Sequence, residues 1–245
     1  MLSEQRHAMI LKILEERQSI TVTELTNLLH ISESTARRDI VLLDRAKKLT
    51  KVYGGAVLAD NIYLPTEQTV AQKTEMNREE KRRIAKYAAS LISPQDFVYL
   101  DAGTTTGYML DFMEHTAATY VTNAVAHAQR LAANGVHVLL VGGTLKSTTE
   151  AVVGTMAALT LKDYHFTIGF FGTNGISRTA GFTTPDTNEA LVKKTALEQC
   201  RKAYILSDHS KFNLVSSVTF APISSGTILT DKIAEDFKGM DVVLC

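Results

Sequence analysis

The chain has 245 residues, 45% of them apolar and 21% charged. That is enough to bury a core and too long for one ordinary domain of about 100–150 residues. Its 26 Lys and Arg balance 26 Asp and Glu, so overall charge selects no partner and only local charge can.

No run approaches the roughly 18–20 apolar residues that span a bilayer, and the polar start Met1-Leu2-Ser3-Glu4-Gln5-Arg6 lacks a signal-peptide core. The only cysteines, Cys200 and Cys245, give no disulfide framework and no Cys-x-x-Cys pattern. A cytoplasmic protein without a membrane partner is expected. The seven histidines are scattered, and neither His-Glu-x-x-His nor Gly-x-Ser-x-Gly occurs. Gly142-Gly143-Thr144-Leu145-Lys146-Ser147 lacks the glycine that precedes the lysine of a phosphate loop. No metal, no cofactor and no catalytic residue are expected.

Apolar Met9, Ile10, Ile13 and Leu14 recur at helical spacing within residues 4–17. Thr21-Val22-Thr23-Glu24 is a capping box that opens a short helix with Leu25, Leu28 and Leu29 inward. Ser32 caps a third helix reaching about Ala46, and only His30-Ile31 separates the two. Residues 49–53 and 56–58 alternate as strands around Gly54-Gly55, a hairpin turn. Three helices and a hairpin predict a winged helix-turn-helix.

Residues 37–51 hold six basic side chains against Asp39 and Asp44 alone. At 100° per residue, Ala36, Ile40 and Leu43 share one face of the third helix. Ser34, Arg38 and Arg45 point away from it, with Thr35 and Arg37 on the flanks. An outward guanidinium among small hydroxyls suits the major groove, where arginine pairs with guanine O6 and N7. Ser32, Ser34, Thr35, Arg37, Arg38 and Arg45, with Lys51 and Tyr53 on the wing, are the expected DNA contacts.

Ser32-Glu33-Ser34-Thr35-Ala36-Arg37-Arg38-Asp39-Ile40 and Val52-Tyr53-Gly54-Gly55-Ala56 resemble the N-terminal domain of DeoR-family transcription regulators. Where that family usually has Ile or Val this chain has Ala36, and where it usually has His this chain has Tyr53. The expected boundaries are residues 1–59 for the DNA-binding domain, 60–76 for a linker around Leu64-Pro65-Thr66, and 77–245 for a second domain.

In the second domain Asn77-Arg78-Glu79-Glu80 opens a helix with Ile84, Ala85, Ala88 and Leu91 on one side. Short apolar strands follow at residues 97–100, 119–122, 136–141, 166–171, 203–206 and 226–230, and Val242-Val243-Leu244 reads as a final strand. Helices are expected at about 105–113, 124–133, 186–199 and 232–238. This alternation implies an α/β fold with a mostly parallel sheet, whose ligands bind outside the carboxyl ends of the strands.

Those ends are polar. Asp101-Ala102-Gly103-Thr104-Thr105-Thr106-Gly107 offers backbone N–H groups, hydroxyls and a following helix start to an anion. Asn123, Gly172-Thr173-Asn174 and Lys211 end other strands. Together they suit a polyhydroxylated anion such as a phosphosugar, with phosphate at the threonine loop and hydroxyls toward Asp101, Asn123 and Asn174.

The resemblance to the DeoR family continues here through residues 101–106, Val121-Thr122-Asn123, Gly142-Gly143, Gly172-Thr173-Asn174-Gly175-Ile176, Gly181-Phe182-Thr183-Thr184, Glu189-Ala190 with Lys193, and Asp208-His209-Ser210-Lys211-Phe212. The family often has Ser at the Ala102 position. It implies a sensor domain similar in fold to ribose-5-phosphate isomerase and glucosamine-6-phosphate deaminase, with the threonine loop on the sugar phosphate and Lys211 in the pocket. Around Pro185 and Lys211 the chain looks closest to fructose-operon repressors of Gram-positive bacteria.

The expected function is therefore a repressor of a carbohydrate-utilisation operon. Its partners are double-stranded operator DNA and a phosphorylated sugar, with fructose 1-phosphate or a related hexose phosphate as first candidate. A homodimer or homotetramer is expected, because paired recognition helices match repeated half-sites. The alternatives are an isomerase or deaminase using Asp101 and Glu189 as base and acid, and an activator with the same effector class.

Overall fold

The computed structural model describes residues 3–17, 19–46, 48–52, 54–58, 62–63, 69–113 and 117–245. The chain divides into two compact units, residues 1–63 and 64–245.

The first unit contains α1 (Ser3–Arg17), β1 (Ser19–Thr21), α2 (Val22–Leu29), α3 (Glu33–Arg45), β2 (Leu49–Val52) and β3 (Gly55–Leu58), and its last described stretch is β4 (Ile62–Tyr63). Thr21 caps α2 with the reciprocal Glu24 bonds expected of its capping box. His30 ends α2 in the left-handed conformation, turning the chain within three residues onto the N-cap of α3, Ser32.

Strand β1 was not anticipated; it pairs with β3, giving an antiparallel sheet of order β1-β3-β2. The hairpin turns at Gly54, with φ +82°, and a Cβ on Gly55 would lie 2.1 Å from the Ile20 carbonyl oxygen. Ile10, Leu14, Leu25, Leu29, Ala36, Ile40, Leu43 and Leu49 form the core. Met9 and Leu28 differ from the periodic reading: both are exposed. The helices are short, and each needs only a narrow apolar stripe.

In the second unit α4 (Val70–Glu75) lies within the stretch expected to be linker. It is a helix closed by its own capping box, Thr69 with Gln72, a signal obscured by the polar composition around it. After α5 (Arg78–Ser90) come β5 (Phe97–Leu100), α6 (Thr104–Met109), β6 (Thr119–Thr122), α7 (Val125–Ala133) and β7 (Val138–Leu140). A hairpin of β8 (Thr144–Lys146) and β9 (Ala151–Val153) leads into α8 (Thr155–Leu161) and β10 (Ile168–Gly172). Then follow β11 (Gly175–Ser177), β12 (Gly181–Thr184), α9 (Thr187–Glu198), β13 (Ala203–Leu206), β14 (Leu214–Val215), β15 (Val218–Ala221), β16 (Thr227–Thr230) and β17 (Val242–Leu244).

Seven of these strands form one sheet in the order β17-β16-β13-β10-β5-β6-β7, with every pairing parallel. Alternate residues enter opposite cores, as a pleated strand requires. Tyr99, Val121, Phe171, Ile205 and Ile228 pack on one face with Ala157, Leu161, Val192 and Ala196. Val98, Leu100, Tyr120, Phe170, Leu206 and Leu229 pack on the other with Ile84, Ala85, Ala88 and Leu131.

Strands β11, β12 and β15 form a separate antiparallel sheet, which the sequence pattern missed because these strands are short and rich in Gly, Ser and Thr. The helix expected at 232–238 is a single 3₁₀ turn, Glu235–Phe237. No helix among the described residues is long and apolar enough to cross a membrane.

Candidate functional site

Helix α3, expected to read DNA, is built by burial on one side. Ala36, Ile40 and Leu43 are buried, while Ser32, Ser34, Arg37, Arg38, Arg45 and Lys51 are exposed and Thr35 is half-buried. Their surroundings separate them. Ser32 Oγ accepts from the Thr35 N–H at 3.2 Å and lies 2.9 and 2.8 Å from the Ser34 and Thr35 hydroxyls, so it is spent largely on capping. Arg37 pairs with Glu33 one turn earlier, its Nε 3.0 Å from Oε1. Arg38 makes no such pair among the described residues. A groove between α3 and the wing is lined by Arg37, Val41, Lys51 and Gly54. Tyr53, the second expected wing contact, lies outside the described residues.

Asp39 is the residue that helix periodicity left unassigned. It is 2% exposed and receives Arg6 Nη2 at 2.9 Å, with His7 Nε2 3.0 Å away. Burial alone would raise its carboxyl; the hydrogen bonds from Arg6 and His7 outweigh burial and hold it below the usual carboxylate range. Two side chains of α1 thus fix α3 from behind.

In the second unit a cleft opens at the carboxyl ends of β5, β10 and β13, three neighbours at the middle of the sheet. Ala102, Gly103, Thr104, Thr105, Gly172, Thr173, Asn174 and Lys211 line it, as the strand-end reading expects. Its other lining residues were not among the expected contacts. Val70 and Lys73 come from α4, Met76 and Asn77 from the turn after it, and Lys81 from α5. Thr149, Glu189, Lys193, Leu206, Ser207 and Asp208 complete it.

Three expected contacts do not line the cleft. Thr106 is fully buried, and its hydroxyl lies within hydrogen-bond range of the Asp101 and Gly103 carbonyls at 2.7 and 2.9 Å. Asn123 accepts from the Ala102 N–H at 2.8 Å and donates to the Val152 carbonyl at 3.2 Å. Asp101 is 1% exposed and bonded to Lys193 Nζ and to the Gly172 N–H, the latter at 3.0 Å. These residues shape the loop from beneath. They were misplaced because strand-end position does not reveal which way a side chain points.

Charge is the cleft's main chemistry. Lys73, Lys81, Lys193 and Lys211 face Glu189 and Asp208. Asp186 caps α9 by accepting from the N–H groups of Asn188 and Glu189, and Glu189 and Lys193 then project from one face, four residues apart. Lys193 is committed to Asp101 and to the Gly172 carbonyl at 3.1 Å. Glu189 accepts from Thr149 at 2.5 Å and from Thr184 at 3.1 Å, with Lys146 3.4 Å away.

Asp208 accepts from Asn77 at 2.8 Å and from the Ser210 N–H at 3.0 Å. Burial lowers the Lys81 ammonium to about 8, against the pull of Asp208 and with the push of Lys211 and Lys73. Burial raises the Asp101 carboxyl, partly offset by Lys193. Lys73, Lys81 and Lys211 thus stand on the cleft wall beside a loop of small residues. Ammonium groups beside small residues can meet the charge of an anion.

Lys81 was hidden in the charged run Arg78-Glu79-Glu80-Lys81-Arg82-Arg83, which reads as a solvated helix end. The signal was present: positions 81, 84, 85 and 88 share one helical face, and all four are buried.

Comparisons with known proteins agree with both halves. Residues 6–61 match the DeoR-like helix-turn-helix domain, and residues 76–232 match the DeoR C terminal sensor domain. An uncharacterized HTH-type transcriptional regulator, FruR of Bacillus subtilis, is 41% identical over 96% of this chain and 93% of its own. The lactose phosphotransferase system repressor of Streptococcus mutans is 31% identical over 97% of this chain and 95% of its own. Among solved structures, ribose 5-phosphate isomerase A from Methanocaldococcus jannaschii matches 58% of this chain and 56% of its own, with TM-score 0.43 and 15% identity. With an arginine-bearing recognition helix in one unit, a cation-lined cleft in the other and a family match across each, the chain belongs to the DeoR family of transcriptional regulators.

Proposed function

We propose that the chain is a repressor of a carbohydrate-utilisation operon, in which residues 1–59 read operator DNA and residues 64–245, α4 included, sense a phosphorylated sugar. Fructose 1-phosphate or a related hexose phosphate is the first candidate. One observation carries this reading: Lys73, Lys81 and Lys211 converge with the Gly103–Thr105 backbone on a single cleft, in a chain that also presents Arg38 on an exposed helix. Ammonium groups and small residues meet the charge of a phosphate, while Thr173, Asn174 and Asp208 suit sugar hydroxyls. The similarity to a lactose phosphotransferase system repressor supports the carbohydrate-operon part of this reading.

An isomerase needs a carboxylate free to move a proton. Asp101 is held by Lys193 and Gly172, and Glu189 by Thr149 and Thr184, which favours binding over turnover. A homodimer or homotetramer brings two recognition helices to paired half-sites. The ligand must bind the DNA-incompetent state more tightly, since equal affinity for both states shifts nothing. A thermal-shift screen against phosphorylated sugars tests the cleft: about 2.7 kcal/mol of stabilisation is expected at a hundredfold excess over Kd. No shift with any phosphosugar contradicts the reading.

A further inference from the structure

Helix α4 forms part of the cleft wall, and in the chain it is the first described element after the DNA-binding unit. None of its residues is buried. Polar contacts hold it in place. The Val70 N–H donates to the Thr148 carbonyl at 3.3 Å, the Tyr108 hydroxyl donates to the Thr74 carbonyl at 3.1 Å, and the Lys81 ammonium donates to the Lys73 carbonyl. A helix attached by its polar groups rather than by core packing is easily shifted by a ligand that touches it.

Two cleft cations bear directly on this helix. Lys73 stands on it, and Lys81 grips its backbone. Lys73 and Lys211 both oppose the protonation of Lys81, so like charges crowd one wall. An anion placed among them turns that repulsion into attraction.

We propose that Lys73 contacts the anionic group of the effector, and that α4 is the lever through which an occupied cleft acts on the DNA-binding unit. The proposal rests on the reading of the cleft as a phosphosugar site. An occupied cleft clamps α4 through Lys73 and Lys81, beyond the contacts that Val70, the Thr74 carbonyl and the Lys73 carbonyl already make. In the chain α4 follows the DNA-binding unit, whose last residue is Tyr63, so it is the cleft element nearest to that unit in sequence.

The test separates ligand contact from transmission. Calorimetry with fructose 1-phosphate measures the first, and operator anisotropy with and without the same compound measures the second. Lys73→Met keeps the aliphatic stem and removes the charge; binding should weaken at least tenfold, and Lys73→Arg should restore it to within threefold. Tyr108 does not line the cleft. Tyr108→Phe removes only the hydroxyl that ties α6 to α4, so binding should stay within twofold of wild type while the effector-induced loss of operator affinity shrinks at least fivefold. Wild-type binding in Lys73→Met, or a full operator response in Tyr108→Phe, overturns the proposal. Failure of the wild-type protein itself to bind the phosphosugar overturns the reading of the cleft, and this proposal with it.

Discussion

Arg37 and Arg38 are adjacent in sequence and unequal in what surrounds them. Glu33 neutralises Arg37 one helical turn away, while Arg38 projects from the face opposite Ala36, Ile40 and Leu43. Arg38→Ala should therefore cost about 1–3 kcal/mol of operator affinity and relax preference at one base pair, as loss of a bidentate contact does. Arg37→Ala should cost less and leave base preference unchanged. Competition binding against operators substituted at single positions separates the two, and equal selectivity in wild type and Arg38→Ala would remove that residue from base reading.

Asp39 acts differently, through Arg6 and His7 behind the helix. Removing its charge leaves partners of a buried carboxylate unmatched, so Asp39→Asn should lower unfolding free energy by roughly 2–3 kcal/mol. Pairing holds the folded carboxyl below its unfolded value, so this contribution is complete above the unfolded pKa near 3.9 and is lost as pH falls through the folded one. Urea unfolding of both proteins should show a gap at pH 7 that narrows toward pH 3. A gap independent of pH would mean that the effect is steric.

Among the elements, the loop after β5 owes its shape to residues that never face the cleft. Asn123 holds the Ala102 N–H and Thr106 holds the loop carbonyls. Asn123→Ala should weaken phosphosugar binding about tenfold although it deletes no group of the cleft wall; unchanged affinity by calorimetry would show that the loop is rigid without it.

On α5, burial lowers the Lys81 ammonium to about 8. A bound anion raises that value, so affinity should be full below pH 8 and decline as pH rises above it. Titrations from pH 7 to 9.5 should show this decline, and Lys81→Arg should flatten it. A flat wild-type profile would exclude Lys81 from the anion site.

These elements also mark what can be read from the chain beforehand. Buried parallel strands carry near-continuous apolar runs, so β5, β6, β10, β13 and β17 stand out, and their ends locate the cleft. Side-chain direction at those ends does not follow from the same pattern, which is why Asp101, Thr106 and Asn123 were placed one layer too far forward. Helix α5 was legible from its apolar face, but Lys73 and Lys81 were not read as cleft residues because each sits in a strongly polar stretch.

At the scale of the whole molecule, two units of different chemistry share one chain, and control requires that a ligand on one change the affinity of the other. Such coupling is reciprocal: if a phosphosugar weakens operator binding, operator DNA weakens phosphosugar binding by the same factor. The most direct measurement is fluorescence anisotropy of the full chain on promoter fragments from its own locus, with and without saturating fructose 1-phosphate and related hexose phosphates. Selective binding to one fragment, weakened at least tenfold by one phosphosugar and not by its unphosphorylated parent, is the predicted result. Operator affinity that is indifferent to every phosphorylated sugar would contradict the account.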